Sequence, residues 1–219
     1  MLNYIFKDGI KRNIPIGKIV CLARSYKKHA QEMKSDISKE PVIFLKPASS
    51  VIFNGDTIKI PKMSKCIHHE VELGLVIEKR CKNISKKDAM DYILGYLVAL
   101  DITARDIQSE FKKKGWPWTI AKCFDTFAPI SDVALKEHVT SPQNLDISLK
   151  VNGEIRQNSN TSFMIFSIEK IIEFISKVMT LEPGDLIMTG TPEGVSKIVK
   201  GDVLEANLGN ICSLKVYVD

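Results

Sequence analysis

Glu70 and Glu72 stand two residues apart in His68-His69-Glu70-Val71-Glu72-Leu73-Gly74. On an extended strand, residues i and i+2 leave the same face, so both carboxylates point one way. Two like charges held there repel unless something positive lies between them, and a divalent cation is the simplest such thing. The apolar run Tyr92–Leu100 ends at Asp101, and an Asp at the polar end of a buried strand is well placed as a third ligand. Three carboxylates without a thiolate suit a hard ion, Mg2+ or Mn2+. An edge strand whose acidic side faces water and pairs with lysines satisfies the same spacing. His68 shares the acidic face by parity.

A second group precedes the first. His29 and Glu32 lie three apart in Ser25-Tyr26-Lys27-Lys28-His29-Ala30-Gln31-Glu32-Met33-Lys34, on one face if the segment is helical. A carboxylate beside an imidazole orients it and raises its basicity, which suits proton abstraction from water. An exposed pair with no chemical role is the plain alternative. Arginine occurs only at Arg12, Arg24, Arg80, Arg105 and Arg156. Arg24 falls just before the His–Glu pair and Arg105 just after Asp101, where a planar guanidinium suits carboxylate recognition. Lys122 sits in Thr119-Ile120-Ala121-Lys122-Cys123-Phe124 and either snorkels to solvent or points into a site. Thr189-Gly190-Thr191-Pro192-Glu193-Gly194-Val195 is a Gly-bracketed turn whose N–H groups could hold an anion. It is not a Walker loop, because no G-K-[ST] follows. Cys21 lies in an apolar strand and reads as a core thiol.

The elements that must position these groups follow from pattern. Lys18–Leu22 and Val42–Leu45 read as buried strands. His69–Ile77 is the clearest strand, with Val71, Leu73, Leu75 and Ile77 on one face and Glu70, Glu72, Gly74 and Val76 on the other. The segment 25–34 reads as a short polar helix capped by Ser25. Ser85 caps a helix that runs into a strand near Leu94–Leu100. Asn152-Gly153 joins a hairpin through a type I′ turn, and Ser167 caps a helix to Val178 with Glu169 in its first turn. Short strands and turns fill the chain after Gly115, closing with Asp202–Leu208 and Cys212–Val218. Strands dominate, without the long helix–strand alternation of a doubly wound sheet. The pattern predicts a β-rich α+β fold.

Composition narrows the class. The chain has 219 residues, 44% hydrophobic and 26% charged, with a net charge of +5. That is ordinary for a globular protein and rules out a fibrous or disordered chain. The basic residues are scattered, which argues against nucleic acid and suits a small anionic partner. Five cysteines, none in a C-x-x-C pair, argue against a zinc ribbon or disulfide framework and for a reducing compartment. No basic-then-apolar leader opens the sequence, and the longest apolar run is about half a membrane span. A cytoplasmic protein with no membrane or nucleic-acid partner is expected.

Several of these segments together resemble the fumarylacetoacetate hydrolase family, on its acylpyruvase and oxaloacetate decarboxylase side. They are Glu40–Pro47, His68–Gly74, Met90–Tyr92, Leu100–Asp106, Lys112–Gly115, Trp118–Lys122, Val151–Glu154, Met164–Ser167 and Thr189–Val195. They span most of the chain. The resemblance implies a single catalytic domain over residues 1–219, an N-terminal arm over about 1–16 and a mobile lid over about 25–37. The fold it implies is an FAH-type mixed β-sandwich roll, as a homodimer. It also implies Mg2+ or Mn2+ on Glu70, Glu72 and Asp101, and a lid dyad of His29 and Glu32. Lys122, Arg105, Gln108 and Thr191 line the implied substrate pocket, with Arg24 and Lys46 in the same substrate-binding set. One segment departs: the family's Gly-Arg-Asn-Tyr reads Ala23-Arg24-Ser25-Tyr26 here, which bears on how the lid hinges. The activity implied is hydrolysis of 2,4-dioxo acids to pyruvate and a carboxylic acid, together with oxaloacetate decarboxylation. The alternative is isomerisation or decarboxylation of a 2-hydroxy-dienedioate. A non-catalytic metal-binding scaffold would have no use for His29, Glu32 and Lys122.

Overall fold

The computed structural model describes residues 2–33 and 36–219. Its strands fall in a six-stranded and a five-stranded sheet, with two smaller ones beside them. The larger sheet takes β1 (Ile19–Ala23), β2 (Val42–Lys46), β4 (Val71–Ile77), β5 (Ile93–Leu100), β6 (Ala134–Leu135) and β9 (Leu186–Met188), in the order β6-β5-β4-β9-β1-β2. The smaller takes β3 (Thr57–Ile58), β7 (Asp146–Val151), β8 (Glu154–Asn160), β10 (Val203–Leu208) and β11 (Cys212–Val218), in the order β8-β7-β10-β11-β3. Neighbours are mostly antiparallel, but β1 pairs parallel with β9 and β11 with β3, so both sheets are mixed. This is the β-rich fold that the strand pattern predicts, in the mixed roll that the resemblance implies.

The period-2 pattern of β4 decides the layering. Val71, Leu73, Leu75 and Ile77 join one core with Ile147, Leu149, Leu204, Leu214 and Val216 of the second sheet. Sheet therefore packs on sheet. Val76 faces a second core, beneath Tyr4, Phe6 and Ile16 of the N-terminal segment. All seven residues of β4 are buried, because it lies between β5 and β9 rather than at an edge. The edge-strand alternative for Glu70 and Glu72 thus fails: their side of the strand is covered.

The four helices are α1 (Lys27–Glu32), α2 (Arg105–Lys114), α3 (Thr119–Lys122) and α4 (Ile168–Val178). Ser167 caps α4 by accepting from the Lys170 N–H, as its type predicts. The expected type I′ hairpin forms, with Asn152 at φ 53 and Gly153 at φ 82. Three expectations are corrected. Ser25 does not cap α1: the N-cap is Tyr26, and Ser25 is buried in front of it. The expected helix and lid also cover Lys34 and Ser35, which lie outside the described residues. The segment after Ser85 is a 3-10 helix, Lys86–Tyr92, where the Ser85 hydroxyl donates to Asp88 instead of capping. Helix α2 stands where no element was expected. Asp106 in its first turn, Lys112–Lys114 in its last and Gly115 in a left-handed C-cap (φ 68) explain it. Among the described residues no helix is long and apolar enough to cross a membrane, and all five cysteines are free.

Because Leu75 is fully buried in the inter-sheet core, Leu75→Ala should lower unfolding free energy by about 2–5 kcal/mol. Urea denaturation checks this, with the midpoint moving down and the slope unchanged.

Candidate active site

The site forms where four strand ends meet. Strands β4 and β5 pair with Val71 opposite Leu100, so the next residues outward, Glu70 and Asp101, fall side by side. The Asp101 N–H donates to the Glu70 carbonyl at 2.8 Å. On the other flank, Met188 of β9 pairs with Gly74 of β4. This sets the loop after β9 beside Glu72, whose Oε2 accepts from the Gly190 N–H at 2.6 Å. Strand β1 runs parallel to β9 with Cys21 opposite Met188 and delivers Ala23 and Arg24 to the same end. Gly190 sits at φ 91 against Ser25, whose Cβ and Oγ would lie 2.6 Å from any Cβ placed there. Only glycine fits that turn.

One carboxylate oxygen from each of Glu70, Glu72 and Asp101 can be chosen so that all three lie within 4.8 Å of one another, and all three residues are buried. Their partners differ. Glu70 Oε1 pairs with Arg105 Nη2, and Oε2 with Lys122 Nζ at 3.0 Å. Lys122 Nζ also donates to Asp101 Oδ2 at 2.5 Å and to Thr103 Oγ1 at 2.7 Å, so all three ammonium protons are placed. Lys46 Nζ lies 2.8 Å from Asp101 Oδ1. Its own three protons go to the carbonyls of Ile102 (3.0 Å), Lys122 (2.5 Å) and Phe127 (2.9 Å). Asp101 Oδ1 therefore receives charge but no hydrogen bond. Glu72 has the Gly190 amide and, among the described residues, no cation partner.

The protonation balance follows from these partners. Burial pushes the Glu70 carboxyl up, but Lys122 and Arg105 outweigh it and hold it well below the carboxylate range. Burial, with Asp101 and Glu70 beside it, pushes the Glu72 carboxyl well above that range. Burial opposes the Lys122 charge, yet Asp101 and Glu70 prevail and raise its pKa. The donor set fits a hard dication. It offers three buried carboxylates, a lone pair on Asp101 without a donor, and in Glu72 an acid that only a cation would ionise.

His29, of the His–Glu pair, lines one cavity with Glu70 and Glu72. His29 Nδ1 is 3.2 Å from Glu32 Oε2, and His29 is buried although its helix is short and polar. A carboxylate only accepts, so Nδ1 is the donor, and in the neutral imidazole the lone pair is on Nε2. The Gly194 N–H binds both Glu32 oxygens, at 3.2 and 3.3 Å. The Gly-bracketed turn thus donates to two carboxyl groups, those of Glu72 and Glu32.

The cavity encloses about 420 Å3, open mouth included, and its walls include Arg24, His29, Glu70, Glu72, Arg105, Gln108, Lys112, Lys122 and Thr191. Every expected site residue but Lys46 and Glu32 is on that wall or, for Asp101, hydrogen-bonded to it through Lys122. Lys46 is corrected: it was expected among the substrate contacts, yet it is buried behind Asp101 with its protons spent on backbone. His68 is half-buried and pushed down to about 4 by burial and by Arg105; it accepts from Arg105 Nε at 3.4 Å.

Sequence reasoning missed Gln157, which is buried. Its amide donates to Thr191 Oγ1 (2.8 Å) and the Pro192 carbonyl (2.9 Å), and its Oε1 accepts from the Val71 N–H at 3.0 Å. The same oxygen faces His69 Nδ1 at 3.0 Å. Nothing in the sequence marks this residue. Lys112, in the Lys112–Gly115 segment, was also not singled out. Two lysines of this segment stack on indoles, Lys112 over Trp118 and Lys114 over Trp116.

A family model described as the C-terminal part of fumarylacetoacetate (FAA) hydrolase matches residues 18–219. The chain belongs to the fumarylacetoacetate hydrolase family. The mitochondrial oxaloacetate tautomerase of Bos taurus is 48% identical over 201 residues, covering 92% of this chain and 91% of that protein. The fumarylpyruvate hydrolase of Pseudomonas aeruginosa, solved with Mn2+ and pyruvate, superposes with TM-score 0.94 at 34% identity, over 98% of this chain and 94% of that one. The 5-carboxymethyl-2-hydroxymuconate delta-isomerase of Mycobacterium smegmatis does so with TM-score 0.84 at 37% identity, over 94% and 80%. One fold of this family thus carries a tautomerase, a hydrolase and an isomerase.

Lys46→Met should cost about 3–5 kcal/mol, because it strips the buried Asp101 of a cation and takes one donor from each of three carbonyls. Thermal unfolding checks this; an unchanged midpoint would contradict the role given to Lys46.

Proposed function

We propose that this chain is a metal-dependent enzyme that hydrolyses the C–C bond of 2,4-dioxo acids, giving pyruvate and a carboxylic acid, and that the same site processes oxaloacetate. The observation that carries the reading is the cluster of Glu70, Glu72 and Asp101 beside a cavity that is also lined by His29, oriented by Glu32. The relatives support it, since their names cover oxaloacetate and a 2,4-dioxo acid.

Glu70, Glu72 and Asp101 would hold the Mg2+ or Mn2+, which when bound supplies Lewis-acid polarisation of the oxo-acid carbonyl. His29 Nε2 takes a proton from water, and the hydroxide adds to the C4 carbonyl. The C3–C4 bond breaks and its electron pair passes to C3, leaving pyruvate as its enolate. The imidazolium proton goes to C3, so water and dioxo acid become pyruvate and the carboxylic acid. Glu32 stabilises the imidazolium between these steps, and the Gly194 amide keeps Glu32 in place. Lys122 and Arg105 set a positive field where the enolate charge develops. Helix α1, which carries the dyad, acts as the lid that excludes bulk water.

A second reading has a specific observation behind it, the 48% identity to an oxaloacetate tautomerase. There His29 Nε2 would move a proton between C3 and the C2 oxygen, through the same enolate-type anion and without water. Decarboxylation of oxaloacetate also needs no water: the C3–C4 pair passes to C3 as CO2 leaves.

These reactions split by variant. Asp101→Asn should abolish acetylpyruvate hydrolysis and oxaloacetate decarboxylation together. His29→Ala should lower hydrolysis by about 10^2- to 10^4-fold, the usual worth of a positioned base, and decarboxylation by far less. Paired assays in Mg2+ buffer check this; an equal fall in both would assign the dyad another task.

A further inference from the structure

Most of the charge around the cavity is internally matched. Glu70 has Arg105 and Lys122, and Asp101 has Lys122 and Lys46. Two wall cations stand outside this balance. Arg24 and Lys112 both line the cavity, and among the described residues neither has a carboxylate within ion-pair distance. Lys112 reaches in from α2 with its ammonium 5.0 Å above the Trp118 ring. Arg24 follows β1 with φ 59, a left-handed conformation that a side chain rarely adopts without compensation. The two cations also feel each other: burial, then Arg105 and Arg24, push the Lys112 ammonium down to about 8. Two unpaired, mutually repelling cations on one wall are costly unless an anion joins them.

We propose that Arg24 and Lys112 form a second anion subsite, which grips the distal carboxylate of a dicarboxylic oxo acid while its oxo-acid end faces Glu70, Glu72 and Asp101. The inference rests on the reading of this cavity as an oxo-acid site, and it adds a basis for selectivity. An acyl tail that ends in a methyl group leaves both cations unmatched, whereas one that ends in a carboxylate satisfies them. A guanidinium and an ammonium on one carboxylate give charge-assisted hydrogen bonds from two sides. Arg24 and Lys112 would then sort substrates by their far end, and the residues nearer the carboxylate cluster would perform the reaction.

The test uses two ligands that differ only at that end. 2-Oxoglutarate and 2-oxopentanoate have equal chain length, and neither is a 2,4-dioxo acid that hydrolysis could consume. Calorimetric titration of the full chain in excess Mg2+ should show 2-oxoglutarate binding about tenfold or more tighter, a gap of about 1.4 kcal/mol. Arg24→Gln and Lys112→Met should each shrink that ratio severalfold by weakening 2-oxoglutarate alone. The double variant should bring it near one, and Arg24→Lys should restore part of it. Circular dichroism confirms that each variant folds, and Lys112→Met keeps the packing on Trp118 if Arg24→Gln does not fold. Equal binding of the two acids by the parent chain, no binding of either, or a ratio unchanged in the variants overturns the subsite. The proposed hydrolysis fails by a different result, the absence of turnover of any 2,4-dioxo acid, which this titration does not read.

Discussion

Three carboxylates buried at one end of a β-sheet are the constraint around which the site is built. An isolated carboxylate in such a place costs several kcal/mol, so each needs its own support. Glu70 has a guanidinium and an ammonium, Asp101 two ammonium groups, and Glu72 one backbone amide. The supports are unequal, and the inequality is informative. The site is nearly satisfied at Glu70 and open at Glu72 and at Asp101 Oδ1. That is the pattern expected when part of the compensating charge comes from a bound dication rather than from the chain. Lys46 shows how far the fold goes to keep Asp101 there. A fully buried lysine is anchored to three carbonyls so that its charge, without its protons, faces the carboxylate.

The loop after β9 joins the two halves of the chemistry. Through Gly190 it holds Glu72, and through Gly194 it holds Glu32. Thr191 is fixed by Gln157 of β8, and Ser196 by a contact with His69 Nε2 at 2.8 Å. Glu32 belongs to a short helix of mostly polar residues, which has little apolar surface to dock it. The Gly194 amide donates to both Glu32 oxygens and so ties the helix to this loop. The dyad and the carboxylate cluster therefore share one loop.

Much of the frame was legible from pattern. The parity of β4 separates Val71, Leu73 and Leu75 from Glu70 and Glu72, and Asn152-Gly153 and Ser167 name their own turn and cap. Parity could not distinguish a central strand from an edge, because that depends on β9, distant in sequence, which pairs antiparallel on the flank of β4 away from β5. Helix α2 was missed because Arg105–Lys114 is polar on most of its surface and gives no apolar stripe; its signals were terminal, in Asp106 and Gly115. Ser25 has the right type for a cap, but tertiary packing against Gly190 takes it away from the helix. The chemistry-bearing types were readable at Glu70, Glu72, Asp101, His29 and Lys122. The supports were not: Gln157 and Lys46 act through buried hydrogen bonds that no local spacing encodes.

The central claim is that Glu70, Glu72 and Asp101 together bind a hard dication. Electron paramagnetic resonance of Mn2+ titrated into the purified chain tests it most directly. The account predicts one ion bound per chain, displaced by excess Mg2+, with binding lost when Glu72 and Asp101 are both replaced by their amides. A spectrum of free aqueous Mn2+ throughout, or equal binding by that double variant, would contradict it.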